Sequence, residues 1–120
     1  MRKNSSTNTI NEQHINQTCG IAYTLSVIDG RWKINILSFL LNQGRLRYSH
    51  LKSRLPGISE RMLTANLKAL EKDGLIARIH HTTVPPKVEY ELTQLGLSFK
   101  KILVLMDEWG EAHRPHTSAQ

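Results

Sequence analysis

The stretch SERMLTANLKALEKDGLIARIHHTTVPPKVEYEL, residues 59–92, decides how this chain folds. Ser59 stands where a helix N-cap belongs, and Leu63, Leu67 and Leu70 recur at the spacing of one helical face. Gly74 supplies the left-handed position that ends such a helix, so the pattern predicts a helix over 60–73. Two runs follow, 75–81 and 87–92, that read as strands. In the second, Val88, Tyr90 and Leu92 alternate with Lys87, Glu89 and Glu91, which gives one buried face and one wet face. Pro85-Pro86 stiffens the loop between the strands.

Working upstream, Pro56-Gly57 makes a tight turn, and Ile58 sits where a hydrophobic staple residue precedes the Ser59 cap. A short helix holding Leu51 and Leu55 leads into that turn, with Ser49 as its expected N-cap. Residues 46–48 read as one short strand. Two more helices are expected, over 31–41 and 20–28, and Asp29-Gly30 separates them. Residues 1–18 are rich in Asn, Ser, Thr and Gln and read as a mobile polar arm. Downstream, Thr93 is the expected cap of one last helix running to about Trp109, with a fraying tail over 112–120. Leu95, Phe99, Ile102, Met106 and Trp109 line one face of that helix, and Leu97 and Val104 project from nearly the opposite one. A helix apolar on two sides must bury both. One face meets its own domain; in so small a chain the other most simply meets a second copy. The expected dimer contacts are Ile21, Leu25, Leu97, Val104, Leu105 and Trp109.

The formal net charge of the 120 residues is +6. Eleven basic and three acidic residues lie between Arg31 and Lys87, so that part carries +8 and the remainder −2. The charge therefore belongs to the folded middle of the chain, which suits docking onto an acidic polymer. Two helices across a four-residue turn, followed by a basic hairpin, predict a mainly α fold with a small β-wing: an α+β, winged helix-turn-helix domain over 19–111 whose N- and C-terminal helices form a dimer interface. In that arrangement the second helix enters the major groove of double-stranded DNA. Arg61 is placed to pair with guanine, and Thr64 and Ala65 to meet a thymine methyl. Lys68 and Lys72 lie where phosphate runs. Arg47, Ser49 and His50 flank the start of the preceding helix, and Ser59 that of the reading helix, where backbone N–H groups suit phosphate. Arg78, His80, His81 and Lys87 are the donors of the wing.

The order Cys19-Gly20, Gly30-Arg31-Trp32-Lys33, Tyr48-Ser49-His50-Leu51, Leu55-Pro56-Gly57-Ile58-Ser59, Leu67-Lys68-Ala69-Leu70-Glu71-Lys72-Asp73-Gly74-Leu75, Val84-Pro85-Pro86-Lys87-Val88-Glu89-Tyr90 and Leu92-Thr93-Gln94-Leu95-Gly96 resembles the HxlR-type transcriptional regulators over about 19–110. The resemblance implies a homodimeric bacterial DNA-binding regulator, repressor or activator, paired through its terminal helices. Two positions depart from the pattern: Gly20 stands where the family usually has proline, and Asn35 falls in a normally apolar helix. Cys19 matches a cysteine that senses oxidants or electrophiles in some members. A helix N-terminus favours a thiolate there, and Cys19 is the chain's one cysteine, so a switch needs an intersubunit or mixed disulfide. Its other reading is a small, partly buried residue closing the dimer interface. An oxidant or small-molecule effector is compatible with both.

Other function classes find little support. There is no phosphate-binding glycine loop, no nucleophile triad pattern and no metal-ligand spacing, so neither enzyme activity nor a cofactor or metal is expected. The histidines read as solvated, and Glu89 and Glu91 as residues of a strand's wet face. No apolar run reaches membrane-spanning length and no secretory signal is visible, which points to the cytoplasm. The remaining alternative is a winged helix kept as a protein-interaction module without DNA readout. The Arg61–Lys68–Lys72 face discriminates the two.

Overall fold

The structure, a computed structural model, describes residues 19–115. The expected arm over 1–18 and the last five residues of the tail lie outside the described residues. The element order is α1 (Gly20–Ile28), α2 (Arg31–Gln43), β1 (Leu46–Arg47), α3 (Tyr48–Arg54), α4 (Glu60–Lys72), β2 (Ile76–His81), β3 (Lys87–Leu92), α5 (Gln94–Leu97) and α6 (Lys100–His113). The strands form one antiparallel sheet in the order β1-β3-β2. This is a winged helix-turn-helix: mostly helical, with a three-stranded sheet.

The turn between α3 and α4 follows directly from its residues. Pro56 fixes its own φ, Gly57 takes φ 88°, and Ile58 N–H closes on the Leu55 carbonyl at 3.1 Å. Ile58 is buried beside the first turn of α4. Ser59 Oγ accepts the Met62 N–H at 3.1 Å, which caps α4 as expected. At the other end Gly74 adopts φ 78°, and Leu75 N–H reaches back to Leu70 O at 3.0 Å, satisfying carbonyls that the helix leaves open. The inner stripe Leu63, Leu67 and Leu70 packs with Ile36, Leu37 and Leu40 of α2 and Leu51 of α3. Truncating any one of these fully buried leucines to alanine costs about 2–5 kcal/mol. Tyr90 and Leu46, opposite one another in the β1–β3 ladder, close the core from the sheet side.

Three expectations need correction. Ser49 does not cap α3. That helix starts two residues earlier, after an extended Arg47 (ψ 159°) that makes no side-chain cap. Arg47 is paired with Glu89 in the β1–β3 ladder, so strand pairing sets where the helix begins. The last helix is not continuous either. Thr93 caps a short α5, and the backbone tightens at Ser98 and Phe99 through contacts to Leu95 O and Gly96 O, both at 3.1 Å. Phe99 is thereby turned into the core, and α6 resumes behind it, running to His113 rather than ending near Trp109. Finally, the face of α6 that meets its own domain carries Phe99 and Leu103. Ile102, Met106 and Trp109, expected to share one helical face with Phe99, remain 41%, 49% and 67% exposed, so that face is only partly covered.

Asn35, the polar intruder in the apolar α2, points outward and donates to the Arg31 carbonyl at 2.8 Å. The core is therefore undisturbed by it. Among the described residues, no helix is long and apolar enough to cross a membrane.

Candidate nucleic-acid interface

The outer face of α4 presents Arg61, Thr64, Ala65, Lys68 and Lys72, all exposed, directly opposite the buried leucine stripe. Ser59, also exposed, sits at the head of the same helix, its oxygen already engaged as cap. Glu60 is the one acid in that first turn, where it favours the helix N-terminus.

The start of α3 lies against the base of the wing. Arg47, Tyr48 and Ser49 line a cleft of about 300 Å³ with Pro85, Pro86, Lys87 and Val88. The fold thus brings Arg47, Ser49 and Lys87, distant in sequence, to one cleft. His50 is exposed on α3, with its carbonyl bonded by Arg54 Nη1 at 3.0 Å. Arg78 is separated from them. It pairs with Tyr90 while Lys87 pairs with His81, three positions along β2, and the alternation of a strand puts the two cations on opposite faces of the ribbon.

Part of the basic surplus is neutralised locally. Lys33 pairs with Asp29 at 3.2 Å, and Arg45 with Glu91 at 2.9 Å. Among the described residues, no ion pair involves Arg47, Arg61, Lys68, Lys72, Arg78 or Lys87. Those of α4, the cleft and the wing are thus among the cations left without an acidic partner in the described residues.

Two features were not legible in the sequence. One is Tyr48, whose hydroxyl donates to the Glu60 carbonyl at 3.3 Å and lies 3.4 Å from Thr64 Oγ1. It links α3 to the first turns of α4. The other is Glu89, expected on a wet face. Its side chain is only 17% exposed and meets His81 Nε2 at 2.7 Å, with Arg45 Nη1 at 4.0 Å. Desolvation pushes its carboxyl up. The hydrogen bond from His81 and the charges of Lys87, His81 and Arg45 together outweigh that and hold it below the ordinary carboxylate range.

A second surface lies away from α4. Ile21 and Leu25 of α1 are 75% and 55% exposed, and with Ile28, Ile34, Ile102 and Met106 they line an apolar groove of about 540 Å³. Cys19, half-buried, immediately precedes α1. Leu97, Val104 and Leu105 line a separate hollow with Lys101 and Glu108. Trp109 stacks on His113 with ring centroids 4.5 Å apart. The residues expected at a dimer interface thus fall into two patches. The one shared between α1 and α6 includes Ile102 and Met106.

Residues 27–118 match the family described as HxlR-like helix-turn-helix. The chain is 47% identical over 93 residues to the putative regulatory protein MalR of Fusobacterium mortiferum, covering 78% of this chain and 88% of that one. It is 43% identical over 96 residues to the uncharacterized HTH-type transcriptional regulator YybR of Bacillus subtilis (strain 168), covering 80% and 76%. Among solved structures, the redox regulator HypR in its oxidized form superposes with a TM-score of 0.77 at 40% identity, over 82% of this chain and 100% of that one.

Proposed function

The chain belongs to the HxlR-like helix-turn-helix family of transcriptional regulators, and from that premise we propose that it binds a roughly palindromic DNA operator in the cytoplasm as a homodimer. The observation that carries the reading is the outer face of α4. Arg61, Thr64, Ala65, Lys68 and Lys72 stand exposed together, and no acid pairs with their cations among the described residues. Arg61, Thr64 and Ala65, in the N-terminal half, read base edges; Lys68 and Lys72 contact phosphate. Arg47, Ser49 and Lys87 grip the backbone from the cleft, with Ser59 and His50 beside them. Arg78 reaches the strand on the other side of the wing.

The dimer buries the apolar groove between α1 and α6. Ile21, Leu25, Ile102 and Met106 are too large and too exposed to be left in water on one contiguous surface. Pairing there sets two reading helices one helical turn apart, about 34 Å.

The test is selection of bound duplexes from a random pool. A consensus made of two inverted half-sites supports the reading. Failure to enrich any sequence, with activity surviving removal of Arg61, Lys68 and Lys72, supports instead a module that binds another protein.

A second reading concerns Cys19. It precedes α1 at the edge of the groove proposed for the partner copy, and a similar structure is that of a redox regulator. Two Cys19 thiols, one from each protomer, would join as a disulfide with loss of two protons and two electrons to a hydroperoxide, which is reduced to water and an alcohol. Unchanged DNA binding after peroxide treatment, in the parent and in Cys19→Ser alike, removes this reading.

A further inference from the structure

We infer that Tyr48 sets the hydrogen-bond polarity of Thr64, so that Thr64 meets DNA only as an acceptor and favours adenine or cytosine over guanine or thymine on the strand it reads, in place of the thymine-methyl contact expected for it from sequence alone. This rests on the proposal that α4 enters the major groove.

The argument is a count of protons. The Tyr48 hydroxyl has two neighbours, the Glu60 carbonyl at 3.3 Å and Thr64 Oγ1 at 3.4 Å. A carbonyl oxygen only accepts, and a phenol has a single hydrogen. With the phenol hydrogen on one acceptor, both contacts are hydrogen bonds under a single assignment: Tyr48 donates to Glu60 O, and Thr64 donates to the Tyr48 oxygen. The hydrogen of Thr64 is then committed to Tyr48. Its exposed side carries only lone pairs.

In the major groove, adenine N6 and cytosine N4 offer N–H donors, whereas guanine O6 and thymine O4 are acceptors. An acceptor-only Thr64 pairs with the first two and faces the others with like charge. A threonine free to rotate would serve either kind of base. Tyr48 is well placed to impose the choice because it is itself fixed. Its half-buried ring packs against the core, which holds its hydroxyl over the first turns of α4. Tyr48 is thus a positioning residue for specificity, one that acts through Thr64 without touching DNA.

The experiment is duplex selection with the full chain as parent, Tyr48→Phe, Thr64→Val and Thr64→Ser. The parent is expected to prefer adenine or cytosine by about tenfold at one position of each half-site, the scale of one well-made base contact. Tyr48→Phe keeps the ring and removes only the hydroxyl, and its preference there falls to within about twofold. Thr64→Ser retains the preference and Thr64→Val loses it. Affinity for random-sequence duplex and its salt dependence stay equal in the parent and Tyr48→Phe, which a merely structural role for Tyr48 would not give. A Tyr48→Phe protein with undiminished preference, or a Thr64→Val protein that keeps it, overturns the inference. A palindromic consensus with no such position overturns it while leaving the DNA reading intact; no enriched duplex from any of the four proteins overturns both.

Discussion

Replacing Gly96 by alanine tests how the C-terminal helices are fixed to α4. Gly96 lies in α5, and a Cβ built on it overlaps the Leu75 carbonyl oxygen and comes within 3.1 Å of Leu92 Cδ2. Leu75 directly follows the C-terminal turn of α4, so this contact ties α5 to the end of α4. Three hydrogen bonds hold the same spot. Thr93 N–H donates to Leu75 O at 3.1 Å, Gly96 N–H donates to Thr93 Oγ1 at 3.1 Å, and Thr93 Oγ1 donates to Gly74 O. To admit a methyl group, α5 must back away from a backbone atom that cannot swing aside. Overpacking of this kind costs about 1–3 kcal/mol, and stretching two of the bonds adds about 1 kcal/mol each. Alanine returns about 1 kcal/mol of helix propensity. The net expectation is a loss of about 2–4 kcal/mol, which lowers the melting temperature of a domain this size by about 10–25 °C. Gly110→Ala is the control: it lies inside α6 with nothing within 4 Å of its Cβ, and is expected to stabilise by up to about 1 kcal/mol. Urea and thermal unfolding of both variants give the answer. A Gly96→Ala protein as stable as the parent refutes the packing argument.

Four further outcomes are expected. Ser59→Ala removes the α4 cap and lowers stability by about 1 kcal/mol in urea unfolding, while Ser59→Asp preserves it. Met106→Glu puts a charge in the α1–α6 groove and converts the dimer to a monomer in sedimentation equilibrium; an unchanged dimer would move the interface elsewhere. Because the folded Glu89 carboxyl lies below its unfolded value, its stabilisation is complete above the ordinary carboxylate range, near pH 4.3, and is lost as pH falls through the folded value. The urea-midpoint gap between the parent and Glu89→Gln therefore shrinks as pH falls below the ordinary carboxylate value; a gap that widens on acidification contradicts the assignment. Lys68→Ala, Lys72→Ala and Lys87→Ala each weaken binding to all sequences alike and reduce the salt slope by about 1.8, one phosphate contact being lost from each of two protomers.

Local chemistry made the helix-turn-helix legible. Ser59 and Gly74 bracket α4, Pro56-Gly57 makes its turn, and the alternation from Lys87 to Leu92 marks β3, because caps, turns and pleats write their requirements into adjacent residues. What escaped is what depends on elements meeting from afar. Tyr48 reaches residues 12 and 16 positions away, and Arg45 finds Glu91 across 46. No local pattern signals either contact. The split between α5 and α6 was hidden because Ser98 and Phe99 keep helical φ values and no glycine or proline marks the break. Which face of α6 meets its own domain was left open for a related reason. Periodicity showed that the helix is apolar on more than one side, but only the packing of Phe99 and Leu103 reveals which side is covered.

The central claim is that the basic face of α4 and the wing cleft bind duplex DNA. The most direct test is the affinity of the parent dimer for its selected duplex, followed by fluorescence anisotropy from 50 to 400 mM salt. With about 6–10 phosphates neutralised, log affinity should fall linearly against log salt with a slope of about −5 to −9, at two protomers per duplex. An affinity that does not change with salt would contradict it.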